Sequence, residues 1–208
     1  MARIERPLHP DDLGLLAYQE CGIYLPYNLI KSLSFQEKVF WWDATSRFLQ
    51  IRHGENLVLE LGPGKKSGKP AGIGLNACSD PAADVWWDLN HGIPLAPESL
   101  SGVYGNQFLE HLYKRSQIYF MNEVWRVLKP GGTAEFWVPH YLSPDADGDP
   151  THYTRFSQNS FRYFCINPTT GEPFVDAFSD YGIESTFILR TNAYRSYVDI
   201  HAILEKPK

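Results

Sequence analysis

The run over 56–61, Asn-Leu-Val-Leu-Glu-Leu, ends in the turn Gly62-Pro63-Gly64. A carboxylate at Glu60 can hold a cationic group. Glycines just after a strand let the backbone approach a ligand closely, because a side chain there would stand in the way. Other polar groups also follow apolar runs: Asn76 with Ala77, Asp88 with Leu89, and Asn106 with Gln107. His111, His140 and His152 supply imidazoles, which exchange a proton near neutral pH. Tyr153 and Arg155 follow His152, and Arg155 has the charge to hold an anionic acceptor or to pair with a carboxylate.

Several chemistries are disfavoured by spacing. A nicotinamide or flavin site wants Gly-x-Gly-x-x-Gly opening a helix. Here Gly62, Gly64 and Gly68 sit at other offsets, and Lys65-Lys66-Ser67-Gly68-Lys69-Pro70 is too broken for that helix. An NAD(P)-dependent oxidoreductase is therefore the weakest of the alternatives. A phosphate loop is one residue short between Gly64 and Gly68-Lys69, and Pro70 takes its hydroxyl position. Lys65, Lys66 and Lys69 read as a solvated loop. Asp145, Asp147 and Asp149 alternate as in a calcium loop, but Pro150 stands where glycine is wanted and Phe156 where glutamate is wanted. No metal site is expected. Cys21, Cys78 and Cys165 are an odd set at wide spacings, which fits reduced thiols in a cytoplasmic protein.

The candidate groups need a scaffold that brings strand ends together. Short strands are predicted over 56–61, 72–76, 83–88, 102–106 and 134–138. A helix is predicted from Leu109 to Leu128, where Leu112, Ile118, Met121, Val124 and Trp125 keep a helical period. Lys129-Pro130-Gly131-Gly132 stops it. Thr186–Arg190 and Tyr197–Leu204 are β-branched and aromatic around a polar turn, the pattern of a hairpin. Strands alternating with helices imply an α/β fold, a Rossmann-like, doubly wound, mostly parallel sheet with an antiparallel C-terminal hairpin. Ligands bind such sheets at the carboxyl ends of the strands, where Gly62, Asn76, Asp88 and Asn106 fall.

The chain has 208 residues, enough to bury roughly 70% of its extended surface in one core. A helical leader or lid over 1–54 and one domain over 55–208 are expected. Tyr18, Tyr24, Tyr27, Phe40, Trp41 and Trp42 in that leader can roof a site or simply pack on the sheet. With 19 basic and 24 acidic residues the net charge is −5, a poor general match for nucleic-acid phosphate. No apolar run approaches about 20 residues, so no membrane span is predicted, and Met1–Pro7 has no apolar signal core.

Read in order, Glu60-Leu-Gly-Pro-Gly64, Gly74-Leu-Asn76, Asp88-Leu89, Val103-Tyr-Gly-Asn-Gln-Phe-Leu-Glu-His111 and Arg126-Val-Leu-Lys-Pro-Gly-Gly132 resemble the class I S-adenosylmethionine-dependent methyltransferases. The resemblance runs from about residue 56 to 165. It is nearest to compact members with a shortened first helix and an Asp-Pro-Thr-His segment, here Asp149–His152. Several of these belong to sugar or polysaccharide pathways.

The resemblance implies a seven-stranded sheet in the order 3-2-1-4-5-7-6 with the seventh strand antiparallel. It implies S-adenosylmethionine as cofactor and in-line transfer of methyl to an oxygen or nitrogen of a small-molecule acceptor. Glu60, Leu61, Gly62, Pro63 and Gly64 would meet its amino-acid part. Asn76 and Ala77 would meet the ribose, with Asn76 where an acidic residue is usual. Asp88 and Leu89 would meet adenine, and Asn106 and Gln107 the methionine side. His111, His152 and Tyr153 are the candidate catalytic residues. The fourth strand lacks the prolines typical of enzymes that methylate nucleic-acid amines, so DNA is disfavoured while RNA stays open. An inactive binding or partner protein of the same fold is the main alternative.

Overall fold

Four of the five residues of β1 (Leu57–Leu61) are buried, Glu60 among them, so this strand is covered on both faces, as a central parallel strand is. The computed structural model describes residues 46, 50, 54–64, 72–76, 85–175, 179–195 and 198–208. The leader over 1–54 and the lysine loop over 65–70 fall almost wholly outside the described residues, as do Cys21, Cys78 and Ala77.

The remaining strands are β2 (Ile73–Asn76), β3 (Val85–Trp86), β4 (Leu100–Asn106), β5 (Leu128–Pro139), β6 (Cys165–Ile166), β7 (Phe187–Arg195) and β8 (Asp199–Glu205). They form one sheet in the order β3-β2-β1-β4-β5-β8-β7-β6. Among the described strands only β8 runs antiparallel to its neighbours. The first seven positions reproduce the expected 3-2-1-4-5-7-6 arrangement. The two-residue β6 is an added edge beyond it, pairing Cys165 with Phe187 and Ile166 with Ile188.

Register brings the strand ends to one edge. Leu61 lies opposite Leu75 and Gly105, Asn76 opposite Trp86, and Asn106 opposite Trp137. Side chains that follow these positions therefore share a rim. The core beneath includes Leu59, Leu100, Phe120, Phe136, Phe187 and Leu204, all fully buried.

The predicted helix starts later than its apolar period suggests. Residues Leu109–His111 and Lys114–Ser116 form short 3-10 turns, and α1 spans Gln117–Val127. Competing partners explain the delay. The Leu109 carbonyl accepts from Gln117 Nε2 at 2.7 Å, and the Leu112 carbonyl accepts from Thr154 Oγ1 at 3.1 Å. Within α1, Phe120, Met121, Val124 and Val127 are buried, one stripe facing the core.

Lys129–Gly132 is not a free loop. It is a bulge inside β5, where Leu100 pairs with Leu128 but Gly102 pairs with Thr133. The Gly131 amide donates to the Lys206 carbonyl and the Lys206 amide to the Gly132 carbonyl, both at 2.9 Å. Short helices α2 (Pro144–Gly148) and α3 (Gln158–Arg162) follow β5. Among the described residues no helix is long and apolar enough to cross a membrane.

Candidate functional site

Gly62 and Gly64 both adopt left-handed backbone, at φ 55° and 60°. The Gly62 amide donates to the Leu75 carbonyl at 2.9 Å, which turns the chain over the end of β2. A Cβ on Gly62 would lie 2.8 Å from the Phe108 ring, whereas one on Gly64 would meet only the Gly62 carbonyl at 3.9 Å. Backbone conformation thus requires both glycines, and packing requires the first.

Asp88 follows β3 and starts the 3-10 turn Leu89–His91. Its Oδ1 accepts from the Asn90 amide and from Asn90 Nδ2, each at 3.0 Å, and its Oδ2 lies 3.1 Å from His91 Nδ1. The capping role is real, and the carboxylate still borders a cavity. The loop beyond it is tied to α1. Arg126 donates to the carbonyls of Ile93 and Leu95 at 2.9 and 2.7 Å, and Glu123 Oε2 accepts from the Ile93 amide at 2.9 Å.

Gln107 sits just past β4 with φ 52°, a left-handed conformation uncommon for a residue with a side chain. It is held there by its amide, which donates to the Trp137 carbonyl at 2.8 Å, and by Nε2, which donates to Asp199 Oδ1 at 3.0 Å. Strained backbone fixed from two sides is common at functional positions.

Among the described residues, two cavities open at this rim. The first, of about 280 Å³, is lined by Gly62, Asn76, Asp88 and Leu89 from the strand ends. Asn90, Gln107, Phe108, His111 and Leu112 complete it. The second, of about 610 Å³, is lined by Asp145, Gly148, Asp149, Pro150 and His152, together with the same Gln107 and His111. Gln107 and His111 therefore stand on the wall between the two.

Two histidines, His111 and His152, line the second cavity. The rings of His111 and His152 meet edge to face with centroids 4.7 Å apart. Burial and the neighbouring His152 ring hold the His111 imidazole below its ordinary pKa, so its neutral form is favoured. Thr151 Oγ1 donates to Asp149 Oδ1 at 2.6 Å and lies 3.0 Å from His111 Nδ1. The bonds from Thr151 hold the Asp149 carboxyl below the usual carboxylate range. Glu110, directly before His111, is fully buried, and neither carboxyl oxygen has a hydrogen-bond partner among the described residues. Burial pushes its carboxyl up to about 8. Its main-chain carbonyl accepts from the amides of Tyr153 and Thr154 at 2.8 and 3.1 Å, which binds the loop carrying His152 to the motif carrying His111.

Of the residues the sequence singles out, Gly62, Asn76, Asp88, Leu89, Gln107, His111 and His152 come together around these cavities. Glu60 is buried behind the glycine turn, and Leu61 belongs to the core. Neither they nor Pro63, Gly64 and Asn106 line either cavity. Tyr153 is exposed and packs its ring on Tyr113 at 4.7 Å, away from both. Asn90, Phe108, Leu112 and Glu110 are contributors that sequence reading passed over, though all lie inside or beside the quoted motifs. His140 is buried and bonded through Nε2 to the Tyr194 hydroxyl at 3.1 Å, a structural partnership.

No protein-family model and no curated protein sequence matches the chain. Solved structures do. A chain from the complex between the Haloferax volcanii Trm112 methyltransferase activator and a protein assigned as a methyltransferase superposes with a TM-score of 0.51. The identity is 16%, over 83% of this chain and 98% of that one. A protein assigned as a methyltransferase from Bacillus halodurans C-125 gives 0.50 at 12% identity, over 78% of this chain and 99% of the other. At these identities the likeness is one of fold, not of activity. With the strand order, it establishes that this chain has the class I S-adenosylmethionine-dependent methyltransferase fold.

Proposed function

We propose that the protein transfers a methyl group from S-adenosylmethionine to an oxygen or nitrogen of a small-molecule acceptor, with sugars first among the candidates. The observation that carries this reading is the pair of cavities sharing Gln107 and His111 at the carboxyl ends of the parallel strands. A donor in one and an acceptor in the other would meet across that wall, the alignment that in-line transfer needs.

The donor set fits the cofactor. A carboxylate accepts at about four sites, so Asp88 can take an exocyclic amine while keeping its bonds to Asn90. The buried Leu89 borders the same cavity and offers an apolar wall to a flat ring. Asn76 can both donate and accept towards ribose hydroxyls. Gly62 lines the same cavity and offers its backbone to the amino-acid end, and the Glu60 carboxylate is buried two residues before it. S-adenosylmethionine supplies the electrophilic methyl, so the protein's share is to align the partners and exclude water. Activation of the acceptor falls to His111 and His152, which line the second cavity.

A donor carrying a deuterated methyl group, incubated with a panel of sugars, small amines and carboxylates, tests this reading. A deuterated methyl group found in one acceptor in place of a hydrogen, with release of S-adenosylhomocysteine, supports it. A second reading draws on Asn76, which lines the donor cavity where the resemblance calls for an acid: a binding subunit of this fold that works through a protein partner. One of the similar structures is a complex with an activator protein. That reading calls for tight S-adenosylhomocysteine binding with no turnover of any acceptor.

A further inference from the structure

We propose that Glu110, His111 and His152 form a binding site for a divalent transition-metal cation on the wall of the second cavity. One ligating atom from each of the three lies within 4.8 Å of the other two. A modest contraction would bring them to metal-bonding distance.

Three independent features of the site fit an ion. The first is Glu110. A carboxyl with no exposed surface and two unpartnered oxygens is rare, because buried polar groups are otherwise satisfied. A cation between it and the imidazoles would satisfy it.

The second is the tautomer of the histidines. His111 Nδ1 faces the Thr151 carbonyl at 3.3 Å, which can only accept. It also faces Thr151 Oγ1, whose own proton goes to Asp149. Nδ1 therefore carries the hydrogen, and the lone pair is on Nε2. His152 repeats the pattern, with Nδ1 3.4 Å from the Ala146 carbonyl. A ring whose Nδ1–H is held by a carbonyl presents Nε2 to a metal in a fixed direction. Asp149 Oδ2, 3.9 Å from His152 Nε2, is within reach as a further oxygen donor.

The third is ligand type. Two imidazoles and a carboxylate suit zinc, cobalt, manganese or ferrous iron, and suit magnesium or calcium poorly, since those prefer oxygen throughout. Three protein ligands leave coordination positions open. The two histidines line the second cavity, so the open side faces it, and an oxygen of the acceptor would fill it. That last step rests on reading this cavity as the acceptor site, whereas the metal site itself does not.

The test uses the full chain without a polyhistidine tag, stripped with a chelator and then titrated with cobalt(II) by visible absorption and with zinc by calorimetry. No methyl donor or acceptor is present, so the result is separate from the methyltransferase reading. One equivalent binding to the wild type, weakened at least tenfold in both Glu110→Gln and His152→Ala, supports the site. His152→Ala changes a loop residue and guards against a folding defect in the Glu110 variant. Far-UV circular dichroism checks both. Absence of binding to the wild type at millimolar metal overturns the proposal, as does unchanged affinity in folded His152→Ala.

Discussion

Arg126 and Glu123 pair on α1 through two hydrogen bonds, at 2.6 and 2.8 Å, and the same two side chains hold the backbone of Ile93 and Leu95. The motif that begins at Arg126 thus acts at a distance from its own loop. It anchors the segment just beyond Asp88 and so fixes one wall of the first cavity. Arg126→Ala leaves Glu123, 5% exposed, as an uncompensated buried carboxylate. We expect a loss of about 3 kcal/mol, or a fall in Tm of roughly 10 °C for a chain of this size. Thermal unfolding measures it. A shift within about 1 °C would mean that the pair is not what holds the loop.

Gly62 and Gly64 share a left-handed backbone but not a neighbourhood, so alanine should affect them unequally. Gly64→Ala bears conformational strain alone, about 1 kcal/mol. Gly62→Ala adds the collision with Phe108, for a total of about 2–4 kcal/mol. Combining Gly62→Ala with Phe108→Leu should recover part of that second component. Urea unfolding of the four proteins checks the order. Equal destabilisation by the two glycine variants would contradict the packing account.

Asp88 and Asn76 make opposite predictions for donor affinity. Asp88→Ala should weaken S-adenosylhomocysteine binding by about 1–3 kcal/mol, the cost of a lost buried hydrogen bond. Asn76→Asp should strengthen it, since an ionised acceptor makes a bond roughly twice as strong as a neutral one. Calorimetry on both variants reads the signs. Unchanged affinity in either variant would remove that residue from the donor site.

Cys165 Sγ donates to the Phe161 carbonyl at 3.1 Å inside the core, and burial pushes its thiol up to about 12. The nucleophile is the thiolate, which forms only as pH approaches that value. Alkylation of the folded protein by iodoacetamide at pH 8, followed by peptide mapping, should leave Cys165 unmodified. Unfolding in guanidinium should make it react. Rapid labelling of Cys165 in the native protein would show that the α3–β6 region opens easily.

Much of the sheet is legible in the sequence because its strands are continuous apolar runs bounded by turns. Leu57–Leu61 is such a run but for Glu60, and its carboxyl end, like that of Leu100–Asn106, carries its next residue, Gly62 or Gln107, to one rim. Two features are not legible, for physical reasons. The start of α1 is set by side chains of Gln117 and Thr154 capturing carbonyls, which periodicity does not register. The strand Cys165–Ile166 is too short to carry a pattern and exists only through pairing with β7.

The candidate site divides the same way. Groups that follow a strand are placed by the fold class, so Asn76, Asp88 and Gln107 could be found from sequence. The meeting of His111 and His152 depends on a distant loop. The Glu110 carbonyl stitches that loop down by accepting two main-chain amides, an event that side-chain types do not announce. Glu110 itself reads as an ordinary helix acid until its burial is seen.

On the proposed function, the cavity bounded by Gly62, Asn76 and Asp88 holds the methyl donor. Calorimetric titration of the full chain with S-adenosylhomocysteine, with NAD as control, tests it most directly. One-to-one micromolar binding of S-adenosylhomocysteine, weakened in Asp88→Ala, and no binding of NAD are expected. Failure of S-adenosylhomocysteine to bind the folded wild-type protein would contradict it.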